Sequence, residues 1–172
     1  MHLNKIIKIS FENDLDNNFD LLEKHIQNKK ILVIGGAGTI GSSYIKNILK
    51  YKPSKITVVD INENGLTELT RDLRSSFLLD YNPEYITYPV NLLSNTFDKV
   101  FNSESWQVVA NFSAHKHVRS EKDKISVEAL IKNNVYGAIK LLNLCELNPP
   151  KYFFSVSTDK AANPVNIMGA SK

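Results

Sequence analysis

Apolar residues in this chain alternate between two rhythms. Short unbroken runs (Ile31–Ile34, then the core of Lys55–Asp60) read as strands buried on both faces, and between them apolar residues recur at helical spacing. Ile40, Tyr44, Ile45, Ile48 and Leu49 share one helical face. Leu66, Leu69, Leu73 and Phe77 share another within a helix spanning Asn62–Leu79, which Asn82-Pro83 ends. Tyr85–Val90 is a third expected strand, Asn95–Asn102 a short helix, and Trp106–Phe112 a fourth strand. A long helix over Ser126–Leu147 puts Val127, Leu130, Ile131, Ala138, Leu141, Leu142 and Cys145 on one side. Asn148-Pro149-Pro150 closes it, and Lys151–Ser157 is the fifth strand. Strands alternating with helices predict an α/β fold, a doubly wound parallel sheet of five strands in the order 3-2-1-4-5.

Residues 1–29 read as an N-terminal extension ahead of the domain at 30–172. Ile6, Ile7, Ile9 and Phe11 suit a short strand, and Phe19, Leu22 and Ile26 mark a helix face that Asn17 or Asn18 caps. His2 and His25 have no partners in sequence and read as surface residues.

Composition narrows the picture. With 172 residues, 42% of them hydrophobic, the chain can bury one core. The net charge of +3 is slight, and only Arg71, Arg74 and Arg119 are arginines among 21 basic residues, so no nucleic-acid surface is indicated. No stretch approaches the roughly 20 apolar residues of a membrane span, and the N-terminus lacks a signal-peptide core, which predicts a cytoplasmic protein. The single Cys145 reads as a small core hydrophobe.

Candidate chemistry begins where the first strand ends. Gly35, Gly36, Gly38 and Gly41 fit G-x-x-G-x-x-G from Gly35 or G-x-G-x-x-G from Gly36, and the spacing leaves the register open. In either register glycine permits the turn, lets backbone approach a pyrophosphate, and lets the next helix pack closely. The first-turn residues Thr39, Ile40 and Gly41 then aim free N–H groups and the positive end of the helix dipole at the phosphates. Asp60 closes the second strand nineteen positions beyond Gly41, where a dinucleotide fold binds ribose hydroxyls.

Other polar residues follow the later strands. Asn91 stands where such folds often carry an Asp near the adenine. The loop Ser113-Ala114-His115-Lys116-His117-Val118 follows the fourth strand and is expected to face the cofactor, with Ser113, Ala114 and Lys116 as contacts. His115 and His117 lack a third ligand motif, so no metal is expected. Asn134 falls on the buried side of the long helix and needs a partner, either neighbouring backbone or the active-site loop.

The end of the chain carries a more specific signal. The run Ser155-Val-Ser-Thr-Asp-Lys160, then Met168-Gly-Ala-Ser-Lys172, together with AHKHV and Asn134-Val-Tyr-Gly137, resembles extended short-chain dehydrogenases/reductases. Within these it is similar to the nucleotide-sugar 4,6-dehydratases of the polysaccharide-biosynthesis (CapD-like) group. The resemblance runs from Lys29 to Lys172. It implies a Rossmann-type fold, NAD as cofactor, and a UDP- or GDP-linked N-acetylhexosamine as substrate. It also implies Lys160 as the base at sugar C5, Asp159 as the acid at O6 and Thr158 as a hydrogen-bond donor at O4. Lys172 would hold the nicotinamide ribose and supply positive charge beside Lys160, since a lysine acts as a base only when its pKa is lowered. Met168 stands in the family's tyrosine position, so a bound water or Asp159 is left to take the 4-hydroxyl proton.

The same resemblance implies a substrate-binding portion beyond Lys172, with later strands covering the fifth. Without it the chain is expected to bind NAD weakly, to self-associate along an apolar edge, and not to turn over sugar nucleotide. A nucleotide-sugar epimerase of the same fold and a non-catalytic NAD-binding fragment are the alternative readings.

Overall fold

The computed structural model describes residues 13–115 and 122–172. The expected strand at Ile6–Phe11, His2, and the loop residues Lys116, His117 and Val118 lie outside them. Five strands, β1 (Lys30–Ile34), β2 (Lys55–Asp60), β3 (Glu84–Pro89), β4 (Val108–Asn111) and β5 (Tyr152–Ser155), form one parallel sheet in the order β3-β2-β1-β4-β5. The helices are α1 (Phe19–Ile26), α2 (Thr39–Leu49), α3 (Glu63–Ser75), α4 (Asn95–Asn102), α5 (Lys124–Ile131), α6 (Gly137–Leu147) and α7 (Ile167–Ala170).

Alternation along the central strands divides the core in two. Ile31, Val33, Ile56 and Val58 pack with Ile45, Ile48 and Leu49 of α2 and Leu66, Leu69 and Leu73 of α3. Leu32, Ile34, Val59 and Val109 face the other way, onto Phe97 and Phe101 of α4 and Leu141 and Leu144 of α6. Helix α3 shows why packing outweighs propensity. Gly65 costs about 1 kcal/mol within a helix, while burying each leucine contributes about 2 kcal/mol. The Asn62 side chain caps the helix by accepting from the Gly65 N–H at 3.0 Å.

Four local expectations are corrected. Helix α3 stops at Ser75 because Phe77 turns left-handed (φ 57°), with its N–H donating to Arg74 and the Leu78 N–H to Leu73, a Schellman closure. That turn swings Phe77 outward to 74% exposure, off the face it was expected to share. The long helix is interrupted by a π-helical segment, Lys132–Tyr136, and α6 packs through Gly137, Leu141 and Leu144, leaving Leu142 52% exposed. The inward stripe is set by Gly137, where a Cβ would already lie 3.2 Å from the Leu92 side chain, so α6 approaches closest there. Asn18 does not cap α1: helical residues begin at 13, and its amide donates to the Asp14 carbonyl at 2.8 Å. His25 is not partnerless, since the Tyr152 hydroxyl lies 2.9 Å from its Nδ1 and the rings meet edge to face.

At the amino ends of the strands Lys55, only 7% exposed, meets Glu104 at 2.7 Å and Glu84 at 2.9 Å, and Lys30 reaches the other Glu104 oxygen at 2.6 Å. Hydrogen bonds from Lys30 and Lys55 hold the Glu104 carboxyl below its ordinary range. A depressed carboxylate stabilises the fold above its unfolded pKa, and that contribution is lost as pH falls through the folded one. Glu104→Gln is therefore expected to lower stability on the order of 2 kcal/mol near neutral pH, because it leaves Lys55 with one carboxylate. In urea titrations the gap to wild type should narrow as pH drops from about 5 toward about 3; a gap independent of pH would count against the charge-based account.

Candidate active site

Gly35 is the turn residue that leaves β1. Its φ is +75°, and a Cβ on it would sit 2.6 Å from the Ser113 nitrogen and 2.7 Å from the Phe112 carbonyl carbon. A Cβ on Gly41 would press still closer on the backbone of Gly35. These contacts resolve the open register: Gly35, Gly38 and Gly41 form the turn and cradle, while Gly36 is required by packing against Val58 and Ile45. Helix α2 starts immediately after Gly38, so the N–H groups of Thr39, Ile40 and Gly41 lie in its first turn, which has no intrahelical acceptors. Ile40 is half-exposed and lines the cleft; it does not join the core face with Tyr44 and Ile45.

Asp60 braces this cradle. One carboxylate oxygen accepts from the Ala37 N–H and the other from the Asn62 N–H, both at 3.0 Å, which fixes the side chain at the mouth of a cleft of about 190 Å³. Asn91, Ser113, Ala114, His115 and Asn133 also line it. The Asn91 side-chain oxygen Oδ1 accepts from the Leu93 N–H at 2.8 Å, holding that side chain in a turn beyond β3.

A second cleft, about 290 Å³, continues from the first and shares Gly35, Gly38, Phe112 and Ala114 with it. Thr158, Lys160, Met168 and Lys172 line it opposite Thr39 and Ile40. The two clefts form one groove across the carboxyl ends of β1, β4 and β5, the ligand position in open α/β sheets. Asp159 is exposed and does not itself line the groove. Its carboxylate accepts from the Thr158 hydroxyl at 2.8 Å and from the Lys160 N–H at 2.9 Å, and these bonds hold its pKa below the ordinary carboxylate value. Met168 is buried on α7, which Asn166 caps by accepting from the Gly169 N–H.

Asn134 sits in the π-helical segment and clasps the loop after β4. Its oxygen accepts from the His115 N–H at 2.8 Å, and its amide donates to the His115 carbonyl at 3.0 Å and to the Ser171 hydroxyl at 2.8 Å. It thereby ties the helix both to the loop and to the residue before Lys172. Sequence reading did not single out Ser171, a buried polar residue of this network, or Asn111, a second buried amide that bonds Ser113 and Ser155. The available signal was Asn111 itself, an amide ending the otherwise apolar run Val108-Val109-Ala110. Among the described residues no three His, Cys, Asp or Glu side chains converge as metal ligands.

Sheet, cradle and paired clefts define a doubly wound α/β domain with a ligand-sized groove at the carboxyl ends of its strands. Residues 31–172 match the polysaccharide biosynthesis protein family, and the chain belongs to that family. It is 34% identical over 158 residues to an uncharacterized membrane protein of Methanocaldococcus jannaschii, covering 90% of this chain and 43% of that protein. It is 31% identical over 148 residues to an inverting UDP-N-acetylglucosamine 4,6-dehydratase of Campylobacter jejuni, covering 84% and 40%. Among solved structures it is similar to Pen from Bacillus thuringiensis, with a TM-score of 0.74, 27% identity, and coverage of 86% and 44%. The chain thus spans less than half the length of these relatives. No described helix is long and apolar enough to cross a membrane.

The glycine geometry separates two substitutions. Gly35→Ala, strained at positive φ and colliding with the Phe112–Ser113 backbone, should destabilise the fold by about 2 kcal/mol or more. Gly38→Ala, whose Cβ meets only the Gly35 carbonyl oxygen at 3.4 Å, should leave the melting temperature nearly unchanged. Equal melting shifts for the two would contradict this assignment of the turn.

Proposed function

We propose that this chain carries the NAD site and the catalytic residues of a nucleotide-sugar 4,6-dehydratase, acting on a UDP- or GDP-linked N-acetylhexosamine for surface-polysaccharide synthesis in the cytoplasm. The observation that carries this reading is that Thr158, Lys160 and Lys172 face the same groove as the Gly35–Gly41 cradle. The names of the relatives support the reaction class.

The cradle fits the cofactor, because Gly35, Gly38, Thr39, Ile40 and Gly41 line the groove and the first-turn N–H groups of α2 have no intrahelical acceptors, which suits a pyrophosphate. Asp60, held by two backbone N–H groups, keeps outward lone pairs for the adenosine ribose hydroxyls. Ser113 and Ala114 would border the middle of the dinucleotide, Asn91 the base, and Lys172 the nicotinamide ribose. Bound NAD supplies a hydride acceptor at sugar C4 and returns the same hydride at C6.

The chain's own residues move the protons. Asp159 rests as a carboxylate, so it can accept the 4-hydroxyl proton, relayed through Thr158, a role open to it because Met168 offers no phenol. Once C4 is a ketone, the C5 proton is acidified and Lys160 removes it. Asp159 then returns its proton through the Thr158 hydroxyl, which lines the groove, to the departing 6-hydroxyl, which leaves as water, and Lys160 gives its proton back to C5 as C6 is reduced. Both side chains end as they began, and the substrate has lost one water.

Two outcomes test this. NAD should bind more tightly than NADP, because Asp60 repels a 2′-phosphate, and Asp60→Ala should weaken NAD roughly tenfold or more, as expected for loss of hydrogen bonds to a charged group. Calorimetry giving the reverse cofactor order would overturn the assignment. In a protein that joins this chain to the substrate-binding portion the resemblance implies, incubated in deuterated water with NAD and UDP- or GDP-N-acetylglucosamine, mass spectrometry should show a product that has lost one water. Lys160→Ala should abolish deuterium uptake at C5 while NAD stays bound. Uptake without loss of water would point to an epimerase, and unchanged uptake in the variant would remove Lys160 as the base.

A further inference from the structure

Asn111 is the one buried amide at the carboxyl edge of the described sheet to which the mechanism above gives no part. It ends β4, is 6% exposed, and pairs in register with Ser155 of β5. An apolar side chain would suit that position, as Val109 does two residues earlier on the same face. Instead the Asn111 oxygen accepts both the Ser113 N–H at 3.0 Å and the Ser113 hydroxyl at 2.6 Å, while its amide donates to the Ser155 hydroxyl at 3.1 Å.

The two ends of this bridge belong to different parts of the groove. Ser113 lines the half beside Asp60, next to the peptide against which Gly35 packs. Ser155 is the last residue of β5, and the chain runs from it through Val156 and Ser157 directly into Thr158. Strand β5 is an edge whose residues are all exposed in the described structure, held to β4 by its ladder and by the Val156 N–H donating to the Asn111 carbonyl at 3.0 Å. Asn111 therefore holds β5 through both backbone and side chain at the point where it leaves the sheet.

We propose that Asn111 is a positioning residue that registers the Thr158–Lys160 turn against the cofactor-binding loop, so that filling the cleft orders the turn. This rests on the reading that the groove holds NAD. The bridge transmits order because Ser113 and Ser155 share one amide: fixing the loop fixes the amide plane, and the amide plane fixes the end of β5.

Hydrogen–deuterium exchange on the full chain, with and without saturating NAD, tests it. In wild type NAD should slow exchange at residues 35–41, at 113–115 and also at 156–160. Ser155→Ala, at an exposed position that leaves the core intact, and Asn111→Leu should keep the slowing at 35–41. Both should lose about tenfold of the protection at 156–160, the loss of one net hydrogen bond. Asn111→Asp, which still accepts from Ser113 and can accept from the Ser155 hydroxyl, should restore it. A merely structural role would instead raise exchange in every segment, with or without NAD, and show no rescue. NAD-dependent protection at 156–160 that is unchanged in Ser155→Ala and Asn111→Leu overturns the proposal. If NAD slows exchange nowhere in wild type, the functional reading fails. Ligand-free exchange at 156–160 then decides the tether alone, faster in Ser155→Ala supporting it and equal rates overturning it.

Discussion

The contact on which the groove depends is backbone against backbone: Gly35 lying on the Phe112–Ser113 peptide with no room for a Cβ. It joins the exit of β1 to the exit of β4, and every other part of the groove is placed relative to it. The Gly35 N–H donates to Val59 at 2.7 Å and the Phe112 N–H to Ile34 at 2.7 Å, so the turn is locked to both neighbouring strands before any side chain contributes. From there α2 can begin only at Thr39, and its first turn must point into the space between β1 and β4. Close approach of this kind is unforgiving, since interiors are packed too tightly for backbone to shift by the size of a methyl group without loss elsewhere.

Around that fixed point the site is held by side chains that bond to backbone. Asp60 holds Ala37 and Asn62, Asn91 holds Leu93, Asn134 holds His115 by both its N–H and its C=O, and Asn166 holds Gly169. Each uses a short side chain to satisfy main-chain groups that the strand ends leave unpaired, which is how a loop-built site becomes rigid without additional secondary structure. The π-helical segment belongs to the same economy. Hydrogen bonds that span one residue more than in an α-helix change where Asn134 projects, and such segments are frequent at functional sites.

Strand order and the two-layer core were legible in the sequence because parallel strands buried on both faces must be written as continuous apolar runs, and the crossovers between them as amphipathic helices. The presence of a glycine turn was legible because backbone strain admits few residue types, while its register was left to the contacts of Gly35 and Gly41. What could not be read were features decided by contacts distant in the chain. Phe77 leaves the core because a left-handed closure is available after Ser75, and Leu142 because Gly137 lets α6 approach Leu92. His25 finds Tyr152 across 127 positions. Local periodicity carries none of that information, since each outcome turns on which surface arrives opposite.

Asp159 shows how geometry refines a role that residue type leaves ambiguous. A carboxyl beside a lysine can be written as an acid or a base with equal ease. Here two donors, the Thr158 hydroxyl and the Lys160 N–H, converge on one oxygen, and both favour the ionised form. An exposed carboxylate so stabilised cannot begin a cycle by donating a proton; it must first collect one. In the proposed reaction the only proton released before the 6-hydroxyl departs, other than the one Lys160 takes from C5, is that of the 4-hydroxyl. On that proposal, collection from O4 and delivery to O6 are the same proton at two moments, and the route asks for no phenol at Met168.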